Sequence, residues 1–228
     1  MNSLLLFRCL LFGAVALAFP AAAVAVFAFG CDRHAAADVL SVVYSFGIAL
    51  GLSTAFWPLR CVSDWSAARR VESLVLIYLG MSYVTHLTWE LGWLVAHAAI
   101  TAHPEAPWAY AWWAYIDGGD ARYAHPSVTL LAMEGLSVAN GVIGTLALTT
   151  FLRSNRRSRV AVLVLAATAV VHLYSASLYY LTELLAGLPN VNTASFIGTY
   201  IKFGFANAPW VVVPWFVFAW ARDKVASA

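Results

Sequence analysis

His86, Glu90, Trp93 and His97 stand at offsets 0, 4, 7 and 11 within one apolar stretch of the chain. At about 100° per residue they fall in a helical stripe about 60° wide. His86 and Glu90 are one turn apart, close enough to hydrogen-bond. A second carboxyl, Glu134, shares one face of another apolar stretch with Ser137, Gly141 and Thr145. A charged side chain in mid-membrane costs about 2.5–3.5 kcal/mol on insertion scales, so each such residue is read first as functional. Two buried carboxyls are hard to explain structurally, because each must be paired or protonated. Beside an imidazole they suit acid–base chemistry on an apolar substrate.

The elements that carry these residues are hydrophobic throughout. Of 228 residues, 62% are apolar and 11% charged, against about 25% charged in an ordinary soluble domain. Six apolar segments stand out: Leu4–Gly30, Val39–Leu59, Val71–Ile100, Ser127–Leu152, Val160–Gly187 and Ala194–Trp220. Each reaches the roughly 20 residues that span about 30 Å of hydrocarbon. The remainder cannot hold a soluble catalytic domain. The runs are continuous, unlike the roughly ten-residue alternating segments of a membrane β-barrel. The expected fold is therefore an all-α, polytopic transmembrane helix bundle.

Residues 1–36 hold a first helix, read as retained rather than cleaved, with a kink at Pro20. Residues 37–222 form the main membrane domain and 223–228 a tail. Flanking Lys and Arg number nine on the side of the second loop, the fourth loop and the C-terminal tail, against two on the other. The positive-inside rule then places both termini in the cytoplasm. The protein is expected to be integral and multi-pass, in the endoplasmic reticulum of a eukaryote or the cytoplasmic membrane of a bacterium. A net charge of +2 argues against nucleic acid as a partner. Cys9, Cys31 and Cys61 form no metal-binding spacing and no disulfide framework, and no metal or cofactor is expected.

Other polar residues have simpler readings. His172, Ser175 and Asn140 read as interhelical hydrogen bonds. Glu183 and Lys202 read as side chains that snorkel to the interface. The long loop 101–126, with Trp108, Tyr110, Trp112, Trp113, Tyr115 and Tyr123, reads equally as an interfacial aromatic belt or a lid. Small residues along the Glu134 face admit close approach of a helix or a flat ligand.

Five blocks then occur in register: His86-Leu87 with Glu90; Gly119-Asp120-Ala121-Arg122-Tyr123; Met133-Glu134; Tyr179-Tyr180-Leu181-Thr182-Glu183; and Asn207-Ala208-Pro209-Trp210 with Pro214. With these blocks, residues 38–220 resemble the emopamil-binding protein family, whose shared module is the EXPERA domain. The resemblance implies a five-helix core around a cavity open to the membrane, with the first segment as an extra helix. It implies sterol Δ8-to-Δ7 isomerase chemistry. In that reading His86 and Glu134 pair as proton donor, Glu90 accepts, Asn207 orients the imidazole and Trp210 stabilises a carbocation through its ring. The donor and acceptor carboxyls are interchangeable at this stage. Trp93, Asp120, Arg122, Tyr123, Ser137, Tyr179 and Glu183 would line or frame the substrate site. Ser137 stands in a Thr-rich stretch of the family, and Ala176 stands where the family isomerase has an acidic residue.

The expected partners are a lipophilic sterol or terpenoid substrate and membrane lipid. Cationic amphiphilic amines and a second copy of the chain are further candidates. Two other functions fit the same residues. One is a non-catalytic receptor for sterols or amphiphilic amines. The other is an acid-initiated enzyme that rearranges or cyclises a terpenoid or its epoxide.

Overall fold

The computed structural model describes residues 3–117 and 119–226, and among these no β-strand occurs. The helices are α1 (Ser3–Phe29), α2 (Arg33–Ser53), α3 (Ala67–Thr85), α4 (Leu91–Ala102), α5 (Tyr110–Ile116), α6 (Val128–Arg153), α7 (Arg159–Ala186) and α8 (Pro209–Ala226). Two π-helical stretches interrupt them, at His86–Glu90 and Ile197–Phe205. Among the described residues, five stretches are long and apolar enough to cross a membrane: Ser3–Phe29, Arg33–Phe56, Val128–Arg153, Arg159–Ala186 and Ile197–Ala226. Large apolar side chains stay exposed along them, including Leu10, Leu17, Val39, Val128, Leu146, Val160 and Leu185. Such surfaces suit hydrocarbon and not water. The fold is the all-α polytopic bundle expected, and these are the features of an integral membrane protein.

Three segments differ from expectation. The second starts at Arg33 and not at Val39, because Asp32 caps it, its Oδ1 accepting from the Ala35 amide at 2.8 Å. Hydropathy alone passes over such a polar first turn. The third is not uniformly α-helical: Ala67–Ala102 runs through the π turn that carries His86 and Glu90. The sixth is not one α-helix either. A π-helix ends at Phe205, a turn follows, and α8 starts at Pro209, whose ring supplies no amide donor and suits a first helical position. Residues 223–226 of the expected tail continue α8, and residues 227–228 lie outside the described residues.

The chain forms two compact units, each discontinuous in sequence. The first comprises Met1–Thr54, Val95–Val128 and Thr182–Asn207. Here α1 lies on α2, and α2 in turn meets α5 and the Ile197–Phe205 π-helix. The α1 helix continues through Pro20. Its Arg8 is buried and donates from Nε to Thr54 Oγ1 at 2.8 Å. The loop 101–126 is neither a simple belt nor a free lid: α5 buries Tyr110 and Ala114 against Ala37 and Leu40. Arg33 anchors the same loop through Asp117 and Glu105, both at 2.8 Å.

The second unit comprises Ala55–Leu94, Thr129–Leu181 and Ala208–Ala228. Glu72 on α3 accepts from Arg156 at 3.0 Å and Lys224 at 2.8 Å, tying α3 to the α6–α7 turn and to α8. Phe151 and Trp220 meet edge to face at 5.3 Å. The small-residue face of α6 receives α3. A Cβ at Gly141 would stand 2.8 Å from His86 Cβ, and one at Gly144 would stand 2.2 Å from the Tyr83 ring. Only glycine permits that approach, which brings α6 against the π turn.

Candidate functional site

The second unit holds His86, Glu90, Trp93, Glu134, Ser137, Tyr179 and Trp210. The His86–Glu90 pair is formed as expected: His86 Nδ1 lies 2.6 Å from Glu90 Oε2. The π turn keeps these residues, four apart, on one side. Isolated π turns of this kind concentrate at functional sites. His86 is 3% exposed and the Glu90 side chain 14%. Trp93, one turn further, is fully buried.

His172 has more than the simple interhelical role expected of it. Its Nε2 stands 2.9 Å from His86 Nε2, and its Nδ1 stands 2.9 Å from the Tyr78 hydroxyl. Both ring nitrogens of His86 are thus engaged, one by Glu90 and one by His172. The result is a chain Tyr78–His172–His86–Glu90, buried except at Glu90, drawn from α3, α7 and the π turn. Sequence periodicity cannot find it, since His86 and His172 are 86 residues apart. The one available signal was a histidine and a tyrosine in apolar helices, each needing a polar partner. Beside this chain Tyr83 bonds Thr168 Oγ1 at 2.6 Å, and Asn140 donates to the Thr168 carbonyl at 3.1 Å. Asn140 is the interhelical tie the sequence suggested.

Glu134 on α6 is 6% exposed. It lies two helical turns before Gly141, the residue that touches His86, and on the same face. Ser137 is half-buried, and Tyr179 is buried with its ring edge-on to Tyr180 at 5.5 Å. Trp210, in the first turn of α8, has a buried Nε1–H with no hydrogen-bond partner among the described residues.

Asp120, Arg122, Tyr123, Glu183 and Asn207 belong to the first unit. Asp120 is fully buried and accepts from Arg122 Nε at 2.9 and 3.0 Å and from the Arg122 amide at 3.0 Å. Arg122 Nε also reaches Glu183 Oε1 at 3.3 Å. Glu183 accepts from Asn190 Nδ2 at 2.8 Å and from its amide at 3.2 Å. Glu183 therefore does not snorkel. It is 3% exposed and closes a clasp between the α5–α6 loop and the end of α7. Tyr123 is buried, edge-on to Tyr115 at 5.4 Å.

Lys202 does not snorkel either. It is 1% exposed, donating to the Asp117 carbonyl at 2.6 Å and pairing with Asp38 at 2.9 Å. It lies inside the Ile197–Phe205 π-helix. Asn207 Nδ2 donates to the carbonyls of Phe203 at 3.0 Å and Lys202 at 3.3 Å, and to the Tyr115 hydroxyl at 3.2 Å. It closes the open carbonyls at the end of the π-helix.

Comparison with known proteins adds a family. The sequence profile of EBP, described as EXPERA (EXPanded EBP superfamily), matches residues 107–221. The 3-beta-hydroxysteroid-Delta(8),Delta(7)-isomerase of Mus musculus is 29% identical over 173 residues, which cover 74% of this chain and 72% of that protein.

Proposed function

The chain belongs to the EXPERA family of the expanded EBP superfamily, and from that premise we propose that it is a membrane-embedded isomerase that shifts a carbon–carbon double bond in a sterol or related terpenoid. The observation that carries the proposal is the part-buried His86–Glu90 pair at 2.6 Å, on a helix against which α6, the helix of Glu134, packs closely. The likeness to the mouse isomerase supports the substrate class.

The reaction needs no net change in protons. The carboxylic acid of Glu134 gives its proton to one alkene carbon, breaking O–H and forming C–H. The carbocation left on the neighbouring carbon is held over the Trp210 ring. The Glu90 carboxylate then removes a proton from the carbon on the far side of the cation, breaking C–H and forming the new double bond. Glu90 is assigned the base role because the contact with His86 Nδ1 fixes where its carboxylate points. Trp93, Ser137 and Tyr179 keep binding roles that rest on the family resemblance. The lopsided Lys and Arg distribution supports cytoplasmic termini.

The test is Glu134→Gln and Glu90→Gln, each assayed for isomer conversion of a Δ8 sterol and for deuterium uptake from D2O. Each variant is expected to lose about 10²–10⁴-fold in turnover, the range for removal of a general acid or base. Wild-type turnover by either variant would overturn the scheme.

A further inference from the structure

The mechanism above uses Glu90 and His86 and leaves His172 and Tyr78 unexplained. Both are buried, and both are bonded into the same chain. The geometry restricts where its protons sit. His86 and His172 face each other Nε2 to Nε2 at 2.9 Å, so one of these two nitrogens carries the shared hydrogen and the other accepts. A Glu90 carboxylate can only accept, so the hydrogen of a neutral His86 lies on Nδ1, directed at Glu90. His86 Nε2 is then bare and must accept from His172 Nε2–H. His172 Nδ1 is bare in turn and must accept from the Tyr78 hydroxyl at 2.9 Å. Every bond then points one way: Tyr78 to His172, His172 to His86, His86 to Glu90.

We infer that His172 is a positioning residue for the base: donating to His86 Nε2 from a ring oriented by Tyr78, it fixes the tautomer that turns His86 Nδ1–H onto Glu90. The inference rests on the isomerase reading for its consequence in catalysis, but not for its proton arrangement. Without His172, His86 is free to carry its hydrogen on Nε2. Its bare Nδ1 would then face the Glu90 carboxylate, two acceptors in contact, and the base would lose its geometry. His172 does not touch the substrate in this account and acts through His86. The rings around it support the position: Tyr78 lies edge-on to His172 with centroids 5.5 Å apart, and Tyr83 lies 6.0 Å away.

Two substitutions separate positioning from packing. His172→Gln keeps an amide N–H for His86 and a carbonyl for Tyr78. His172→Leu keeps apolar volume and offers neither. In purified full-length protein, His172→Leu is expected to lower kcat by about 10- to 100-fold, the scale of losing a group that orients a ligating or catalytic histidine. KM stays within about twofold, because ground-state binding is untouched. His172→Gln recovers kcat to within about threefold of wild type. Equal kcat in the two variants, or full kcat in His172→Leu, would overturn the inference. If His172→Leu does not fold, Tyr78→Phe takes its place; it removes only the bond that orients His172 and should lower kcat by at least about threefold, and wild-type kcat would overturn the inference. Nitrogen-15 spectra of histidine-labelled wild-type protein give a reading independent of turnover. They should show His86 protonated at Nδ1 and His172 at Nε2, and the reverse assignment overturns the inference. A wild type with that tautomer pattern but no isomer conversion would instead sink the isomerase reading and leave the proton arrangement standing.

Discussion

Arg122→Met keeps most of an apolar stem and deletes a guanidinium that serves both oxygens of Asp120, Oε1 of Glu183 and Oγ1 of Thr182. Asp120 is fully buried and Glu183 3% exposed, so water cannot replace the lost donors without opening the clasp. Removing one partner of a buried ion pair costs about 3–5 kcal/mol, chiefly because it strands the other charge. Two carboxyls are stranded here, which favours the upper half of that range. In a chain of this size each kcal/mol moves the midpoint of thermal unfolding by about 2–4 °C, so Tm should fall by about 6–20 °C. The assay is thermal unfolding of the purified protein in detergent. The triple variant Asp120→Asn, Arg122→Met, Glu183→Gln removes the stranded charges and should recover at least half the loss. A Tm within about 2 °C of wild type in Arg122→Met, or a triple variant no better than the single, would refute the reasoning. A direct substrate-binding role for these residues predicts the opposite pattern, an unchanged Tm with a raised KM.

Two further outcomes follow from the packing. Gly144→Val drives a Cβ to 2.2 Å from the Tyr83 ring. Overpacking at about 1–3 kcal/mol and loss of the Tyr83–Thr168 bond at about 1 kcal/mol should lower Tm by about 4–16 °C in the same unfolding assay. In the α5 loop, burial holds the Tyr110 phenol protonated and pushes its pKa up to about 12 from 10.0, although Arg33 opposes the shift. A folded-state value above the unfolded one means the stabilisation is complete below pH 10 and is lost as pH rises through about 12. Tyr110→Phe should flatten that alkaline decline in denaturant titrations, and an unchanged decline would count against burial as its cause.

The His86–Glu90 pair was legible from spacing because a π turn and an α turn both leave residues four apart on one side. The all-helical class and the lipid-facing surface were legible because hydropathy measures them directly, but the six expected segments became five candidate spans among the described residues, since a π turn breaks the third. Helical periodicity gives no side-chain direction where the winding changes. Lys202 lies inside the Ile197–Phe205 π-helix, and Asn207 lies in the turn that follows it. An angle of about 100° per residue has no meaning at either place. Partners failed where they came from another helix. The Arg122–Glu183 contact and the His86–His172 contact join residues far apart in sequence, and composition carries no trace of them. Asp120, Arg122 and Glu183 were visible as residues worth noting, but not as partners of one another.

The partners of its buried carboxylates separate two uses of the same side chain. Asp120 and Glu183 face Arg122, a cation that does not give up its proton. A carboxylate held by that rigid fork of donors ties the α5–α6 loop to the end of α7. Glu90 faces an imidazole, and behind that imidazole stand a second imidazole and a phenol. Such partners orient a carboxylate by hydrogen bonds alone, which suits the proposed base role. Had Glu90 been paired with arginine or lysine, the helix would be as well satisfied and the group would serve poorly as a base. The choice of neutral, tautomer-bearing partners for one carboxylate and a fixed cation for the others supports the proposed chemistry at His86 and Glu90 and a structural clasp at Arg122.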